Sequence, residues 1–365
     1  MSCRIFCFAL LGFGVAIGSG CTTSTIPVDG GSDDGGPPPT DDITVPFEAW
    51  ISGRIVYADF AGGAVVTIEG DGSDPENLVE AERPASPAIS GDGGTIAFSQ
   101  RERDDDQLVV VHRGGTIHRY EGITGRDPLR VALNRDGTKI AFQEVTPPSP
   151  TNGCGPIHLA IGNADGTELA MVVTGESICA EWPEWSPDGT LLSYAHVDLS
   201  AEHPGRLCML DGATMARTRC FDEPVIGISH RTWSPDSTLL MGQGFRTMRV
   251  IDGQEVTDPL NAVTGGEPQL ASGELLDAIL DAAQAVGWSL IPGGMSGDVL
   301  PISLNWSPNN VLVFDALASS GGGSEAVHIF TYDLATGIAA HVAGPFPESN
   351  TNNHNYSLAT PRWVP

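Results

Sequence analysis

The sequence predicts an all-β fold: a six-bladed β-propeller with one small helical insertion. The first observation behind this is a repeat, clearest in WSPDGTLLSYA from Trp185, WSPDSTLLMGQ from Trp233 and WSPNNVLVFDA from Trp306. Degenerate copies are ISGDGGTIAFSQ from Ile89, LNRDGTKIAFQE from Leu133 and WISGRIVYAD from Trp50, the last one residue short. Self-similarity at a fixed period of this size marks repeat architectures, and six copies imply six blades. The second observation is composition: 45 glycines and 27 prolines against only 18% charged residues fit many short strands joined by tight turns. The third is the pattern after each repeat core, a strand, a Gly-containing turn and another strand, as in HLAIGNADGTELAMVVT and HIFTYDLATGIAAHVA.

In chain order, MSCR is a short basic leader and IFCFALLGFGVAI an apolar run too short to span a membrane. Gly18, Ser19 and Gly20 then precede Cys21. This segment resembles a bacterial lipobox, which implies cleavage after residue 20 and lipidation of Cys21. It departs from that pattern at Gly18, where Leu, Val or Ile is usual, with Ile17 one place further back. Residues 21–46 are dominated by Gly, Pro, Asp, Ser and Thr, cannot bury a core, and read as a flexible tether. Residues 47–365 are the propeller.

Within each repeat, Ser-Pro-Asp-Gly is a turn signal: proline presets one dihedral, and Asp-Gly accepts the bends after it. Runs such as TKIAFQ then read as strands. Four strands, A to D, make a sheet that cannot bury both faces alone, so neighbouring sheets must stack around an axis. The turn aspartates Asp92, Asp136, Asp188 and Asp236 recur evenly, but Asn309 lies 73 residues after Asp236. An insertion, about 265–297, explains the gap. In it SGELLDAILDAAQAVG reads as an amphipathic helix, with Ser272 as N-cap and Gly287 as the C′ residue. Leu275, Leu276, Ile279, Ala283 and Val286 share its apolar face. The expectation is that this helix partly covers the axial opening or rims a binding groove.

The W-S-P-D-G core and the later D-x-x-G turn resemble the TolB-type β-propeller repeat, from about Trp50 to Pro365. The resemblance implies a fold, not a role, because propellers host many functions. TolB proteins also carry an N-terminal α/β domain, for which the tether leaves no room. In that family the last segment commonly supplies the inner strand of the first blade. ATPRWVP, with Trp363 in the tryptophan place, is expected to clasp the ring in that way.

Beyond Cys3, Cys7 and Cys21, four cysteines remain, an even number in an exported chain, which suggests two disulfides of three possible connectivities. Cys154 with Cys179 and Cys208 with Cys220 are the expected pairs, each flanking a predicted strand C to D hairpin.

A net charge of −28 disfavours nucleic acid and anionic membrane surfaces as partners. No G-x-S-x-G, H-E-x-x-H, phosphate-loop or EF-hand pattern occurs, so no catalytic residue, metal or cofactor is assigned. Asp71, Asp74 and Glu76 read as turn residues rather than calcium ligands. His112 and His118 face each other across a predicted hairpin but lack a third ligand. Long segments fall on the face that carries B to C and D to A connections, where binding is expected around the channel mouth. The candidates are Arg101, Arg103, His196, Asp198, Glu202, His203 and Trp288.

The favoured reading is a monomeric, non-enzymatic scaffold binding a protein or envelope glycan. It is anchored by lipid in the bacterial envelope, and Thr22 after Cys21 is compatible with outer-membrane sorting. The alternative is a propeller hydrolase or lyase acting on a peptide or polysaccharide at the channel mouth.

Overall fold

A computed structural model describes residues 53–102, 105–120, 128–145, 156–201, 205–222, 224, 226–228, 231–242, 245–256, 272–290, 303–320, 325–347 and 362–363. Its strands fall into six antiparallel blades. Blade 1 joins β1 (Ile55–Asp59), β2 (Ala64–Ile68) and β3 (Glu76–Glu80) to β25 (Arg362–Trp363). Blade 2 is β4 (Pro84–Ile89), β5 (Thr95–Glu102), β6 (Asp105–His112) and β7 (Ile117–Tyr120). Blade 3 is β8 (Pro128–Leu133), β9 (Lys139–Val145), β10 (Ile157–Asn163) and β11 (Ala170–Val173). Blade 4 is β12 (Ile178–Trp185), β13 (Leu191–Asp198), β14 (Gly205–Asp211) and β15 (Arg217–Asp222). Blade 5 has the short strands β16 (Thr232–Trp233), β17 (Leu239–Met241), β18 (Thr247–Arg249) and β19 (Glu255–Val256). Blade 6 is β21 (Ser303–Trp306), β22 (Val311–Ser320), β23 (Glu325–Asp333) and β24 (Ile338–Pro347), with β20 (Trp288–Leu290) pairing the far end of β22.

The inner strands succeed one another around a closed ring, β4, β8, β12, β16, β21, β25 and back to β4. Blade 1 is closed by the expected clasp, with Trp363 opposite Ile55 and Arg362 opposite Val56. The core is split accordingly. Six apolar clusters each fill one interface between neighbouring blades, for example Val65 and Leu78 of blade 1 against Val109 and Val111 of blade 2. Ile55 and Val66 meet Val313 and Ile329 where blade 1 adjoins blade 6.

The repeat's serine and aspartate wire each A to B turn. Ser186 Oγ donates to Asp188 at 2.6 Å and accepts from Leu191 N at 2.9 Å, while Asp188 accepts from Thr190 N at 3.0 Å. Ser90 with Asp92 and Ser234 with Asp236 repeat the pattern. The side chains thereby satisfy backbone donors that the turn would otherwise leave unpaired.

Three expectations need correction. The helix α1 (Ser272–Ala285) forms as predicted, and Gly287 takes φ +83° just beyond it. It does not cover the axis. Ile279 and Ala283 are fully buried with Leu239 and Met241 of blade 5 and Trp306, Phe314 and Phe330 of blade 6. Blade 5 has strands of only two or three residues, and the helix fills the interface they are too short to cover. Val286, expected on the apolar face, is 43% exposed.

Secondly, SQRERDDDQ (99–107), one of the long segments expected on the B to C face, is mostly strand. The β5 and β6 strands run on to Glu102 and Asp105, which pair directly, as do β22 and β23 up to Ser319 and Glu325. Thirdly, Cys179 is not on a C to D hairpin of blade 3. It lies buried in β12, the inner strand of blade 4, beside Ile157 of β10. Because β11 covers only Leu159–Ile161 of β10, the start of β12 takes that open edge and links blades 3 and 4 into one sheet. The Cys208–Cys220 disulfide joins β14 to β15 as expected. Cys154 lies outside the described residues.

Candidate functional site

Inner strands of an antiparallel blade normally alternate regularly. Three here do not. In β4, β8 and β12 the pairing register slips, between Ala85 and Ala88, Leu129 and Ala132, and Glu181 and Glu184. At each slip a residue other than glycine takes a left-handed backbone: Ser86 at φ +52°, Arg130 at +49° and Trp182 at +57°. All three stand six residues before their turn aspartate, so one bulge recurs in three successive blades. Such backbones cost about 1–3 kcal/mol each, and bulges re-aim side chains.

The bulged residues line an axial cavity to which all six blades contribute. Blade 1 supplies Arg362, blade 2 Ser86, blade 3 Arg130, blade 4 Trp182 and Glu184, and blade 6 Ser303; Arg231, immediately before β16, completes the ring from blade 5. The free space is ≈ 450 Å³, its open mouth included. The lining comes from the inner strands, with Ser86, Arg130 and Trp182 inside β4, β8 and β12 and Ser303 opening β21. Arginines therefore come from alternate blades, three of the 18 basic residues of a chain with net charge −28.

Their bonding differs. Arg362 forms a two-pronged ion pair with Glu184, Nη1 to Oε1 at 2.8 Å and Nη2 to Oε2 at 3.0 Å, crossing the axis between opposite blades. Arg130 lies over the Trp182 ring, 3.9 Å from its centroid. Arg231 is buried in the wall. It donates from Nε to Ser193 Oγ at 3.1 Å, from Nη1 to Ile228 O at 2.7 Å and from Nη2 to Trp182 O at 2.6 Å. It thus braces the strained Trp182 backbone. Burial pulls its guanidinium down to about 10, opposed by the Glu184 charge.

Two carboxyls stand behind this lining. Burial pushes Glu181 up to about 7, against the pull of Arg130 and a Trp182 hydrogen bond. Asp315, opposite Ser303 on β22, is wholly buried and also raised to about 7 by desolvation, against Ser303 hydrogen bonds and Arg130. Its Oδ1 accepts from Ser303 Oγ at 2.8 Å, while Oδ2 has no hydrogen-bond partner among the described residues.

Of the residues singled out from sequence, the described ones, Arg101, His196, Asp198 and Trp288, are not among those that line this cavity. His196 is on β13, not in a loop; its ring lies 6.1 Å from that of Tyr194, and burial, then Arg217 and Arg206, hold its pKa down. Asp198 ends the same strand and is occupied by Ser200, which holds its carboxyl below the usual range. Arg101 is in β5, opposite Asp106. Trp288 packs on His328, ring centroids 4.5 Å apart, in blade 6. His328 in turn meets His341 at 3.0 Å, and burial, then the His341 charge, pushes it down to about 4. Arg103, Glu202 and His203 lie outside the described residues. His112 and His118 do face each other, 5.5 Å between ring centroids. Asp74 binds Arg54 at 3.3 Å. Among the described residues no group of three or more His, Cys, Asp or Glu side chains is arranged to hold a metal.

Arg130, Trp182, Glu184, Arg231 and Arg362 were missed. The available signal was positional: the first four fall four to six residues before a turn aspartate, and Arg362 precedes Trp363 as Glu184 precedes Trp185, in the column that becomes the inner strand.

The sequence matches no protein-family model and no curated protein. Solved structures share the fold. The chain superposes on TolB from Acinetobacter baumannii with TM-score 0.54 and 15% identity, covering 86% of this chain and 67% of that one. A protein from Agrobacterium tumefaciens assigned as TolB gives 0.49 and 13%, covering 86% and 98%. An oligogalacturonate lyase in complex with manganese gives 0.44 and 15%, covering 76% and 73%. At such identities the likeness concerns the propeller and not the task.

Proposed function

We propose that this chain is a non-enzymatic binding scaffold of the bacterial envelope, held by lipid on Cys21, whose propeller captures a protein or glycan at the axial cavity. The recurring bulge supports this reading most strongly. Three inner strands hold unfavourable backbone conformations, and what they gain is Ser86, Arg130 and Trp182 presented to one cavity. Strain of that kind is retained where the surrounding structure uses it. The chemistry presented is that of recognition: guanidinium charge, the Ser86 hydroxyl and an aromatic face. Among the described residues no histidine lines the cavity, and its one lining carboxylate, Glu184, is engaged by Arg362 rather than poised beside a nucleophile.

The test is a panel of envelope glycan fragments and peptides offered to the full chain and to Trp182→Ala, followed by mass analysis of the bound material. Intact ligand retained by the native chain and lost by the variant supports the scaffold. Cleaved or eliminated product favours the hydrolase or lyase, and no retention of any class overturns an axial binding site.

A further inference from the structure

We infer that the axial cavity is a carboxylate-binding site, and that Glu184 holds the ligand's place on Arg362. This rests on the proposed scaffold and names the group it recognises. The inference begins with the ion pair. A two-pronged guanidinium–carboxylate contact is the strongest way a protein grips a planar acid. Here it sits on the axis itself, between blades 1 and 4, at the wall of a cavity open to solvent. Neither partner is deeply buried, at 16% exposure for Arg362 and 17% for Glu184. An entering carboxylate therefore meets a guanidinium whose present partner can swing toward water.

The neighbours fit the same ligand. Arg130 lies over the Trp182 ring and lines the same cavity, where it adds a second positive charge. Ser86 adds a hydroxyl to the same lining. The enclosed part of this space is small, so it suits one acidic group carried on a longer molecule. A strongly acidic chain would repel such a ligand elsewhere on its surface, which leaves this cavity as the point of capture. Carboxylates at peptide termini and on uronic sugars share this chemistry.

The experiment measures binding of N-acetyl-alanyl-alanine and of glucuronate, each beside its uncharged amide, by calorimetry on the full chain. In Glu184→Gln the internal competitor loses its charge, so both the vacated fork and the acid gain. The acids should bind about tenfold or more tightly than to the native chain, the equivalent of one charge-assisted hydrogen bond. Arg130→Gln, which leaves the clasp strand untouched, should weaken the same acids by a similar factor. The amides should bind neither variant. Whichever acid binds more tightly identifies the source of the carboxylate. Acids that gain nothing in Glu184→Gln, or amides that bind as well as acids, overturn the inference. If circular dichroism shows Glu184→Gln unfolded, the acid–amide comparison on the native chain and Arg130→Gln decides alone. A neutral ligand retained through Trp182 in the panel above would sink the carboxylate site while leaving the scaffold intact.

Discussion

Replacing Ile279 with alanine tests whether α1 is part of the propeller core or an appendage over its axis. Ile279 is fully enclosed between blades 5 and 6, against Leu239, Trp306, Phe314 and their neighbours. The substitution removes three carbons. At about 0.8 kcal/mol per buried methylene the transfer part alone is about 2.4 kcal/mol, and the cavity left behind adds to it. A loss of about 3 kcal/mol is expected, within the range of about 2–5 kcal/mol found for such truncations. Val286→Ala, just beyond the end of the same helix, is the internal control, because its side chain is 43% exposed and should cost less than about 0.5 kcal/mol. Urea unfolding of the full chain, followed by tryptophan emission, gives both values under one condition. Equal losses for the two variants, or less than about 1 kcal/mol for Ile279→Ala, would refute the placement of the helix inside the blade interface.

Further outcomes can be checked independently. Non-reduced peptide mapping should return Cys208 joined to Cys220 and Cys154 joined to Cys179; a bridge between the two pairs would contradict both. Reducing the Cys208–Cys220 link, which spans a separation of 12 residues, should lower stability by roughly 2–4 kcal/mol. Cys21→Ser should move the protein from the membrane to the soluble fraction, since acyl chains anchor at about 0.8 kcal/mol per buried methylene; an unaltered chain already soluble and unacylated argues against the anchor. Asp315 carries a pH prediction. Its folded pKa, about 7, lies above the ordinary carboxylate value, so the folded state holds a proton that the unfolded chain releases. Stability from that proton is complete below about pH 4 and is lost as pH rises through about 7. Asp315→Asn keeps an acceptor for Ser303 and should melt higher than the native chain at about pH 8 but not at about pH 4; a lower melting point at the higher pH would contradict the buried-proton account.

The ring was legible because its signals are local. Trp-Ser-Pro-Asp fixes a turn through bonds spanning five residues, Ser186 to Leu191 among them, so each copy announces itself in a short window. Ser272 to Gly287 was legible for the same reason. The packing partner of the helix was not, because it depends on blade 5 having strands too short to fill their own interface, a property of two distant segments together. The cavity was hidden by the same logic. Long, charged segments point to Arg101, His196 and Asp198, yet the strands run on through SQRE and HVD. Arg362 and Glu184 lie 178 residues apart, and only the ring closure makes them neighbours. The bulges at Ser86, Arg130 and Trp182 break alternation in strands that composition alone reads as ordinary.

Blade 1 is assembled from strands about 300 residues apart, and this sets the order of folding. Loop-closure entropy grows by about 0.6 kcal/mol per doubling, so this pairing costs about 2 kcal/mol more than closing a loop of about 20 residues. The other five blades are contiguous and can form as local hairpins. The β1 to β3 sheet must instead wait with the inner edge of β1 open, its backbone donors and acceptors unmatched. An open edge is a template for any free strand, including the clasp of another molecule. Refolding at high concentration should therefore yield strand-exchanged oligomers that dilute refolding avoids, a difference that size-exclusion chromatography would read directly.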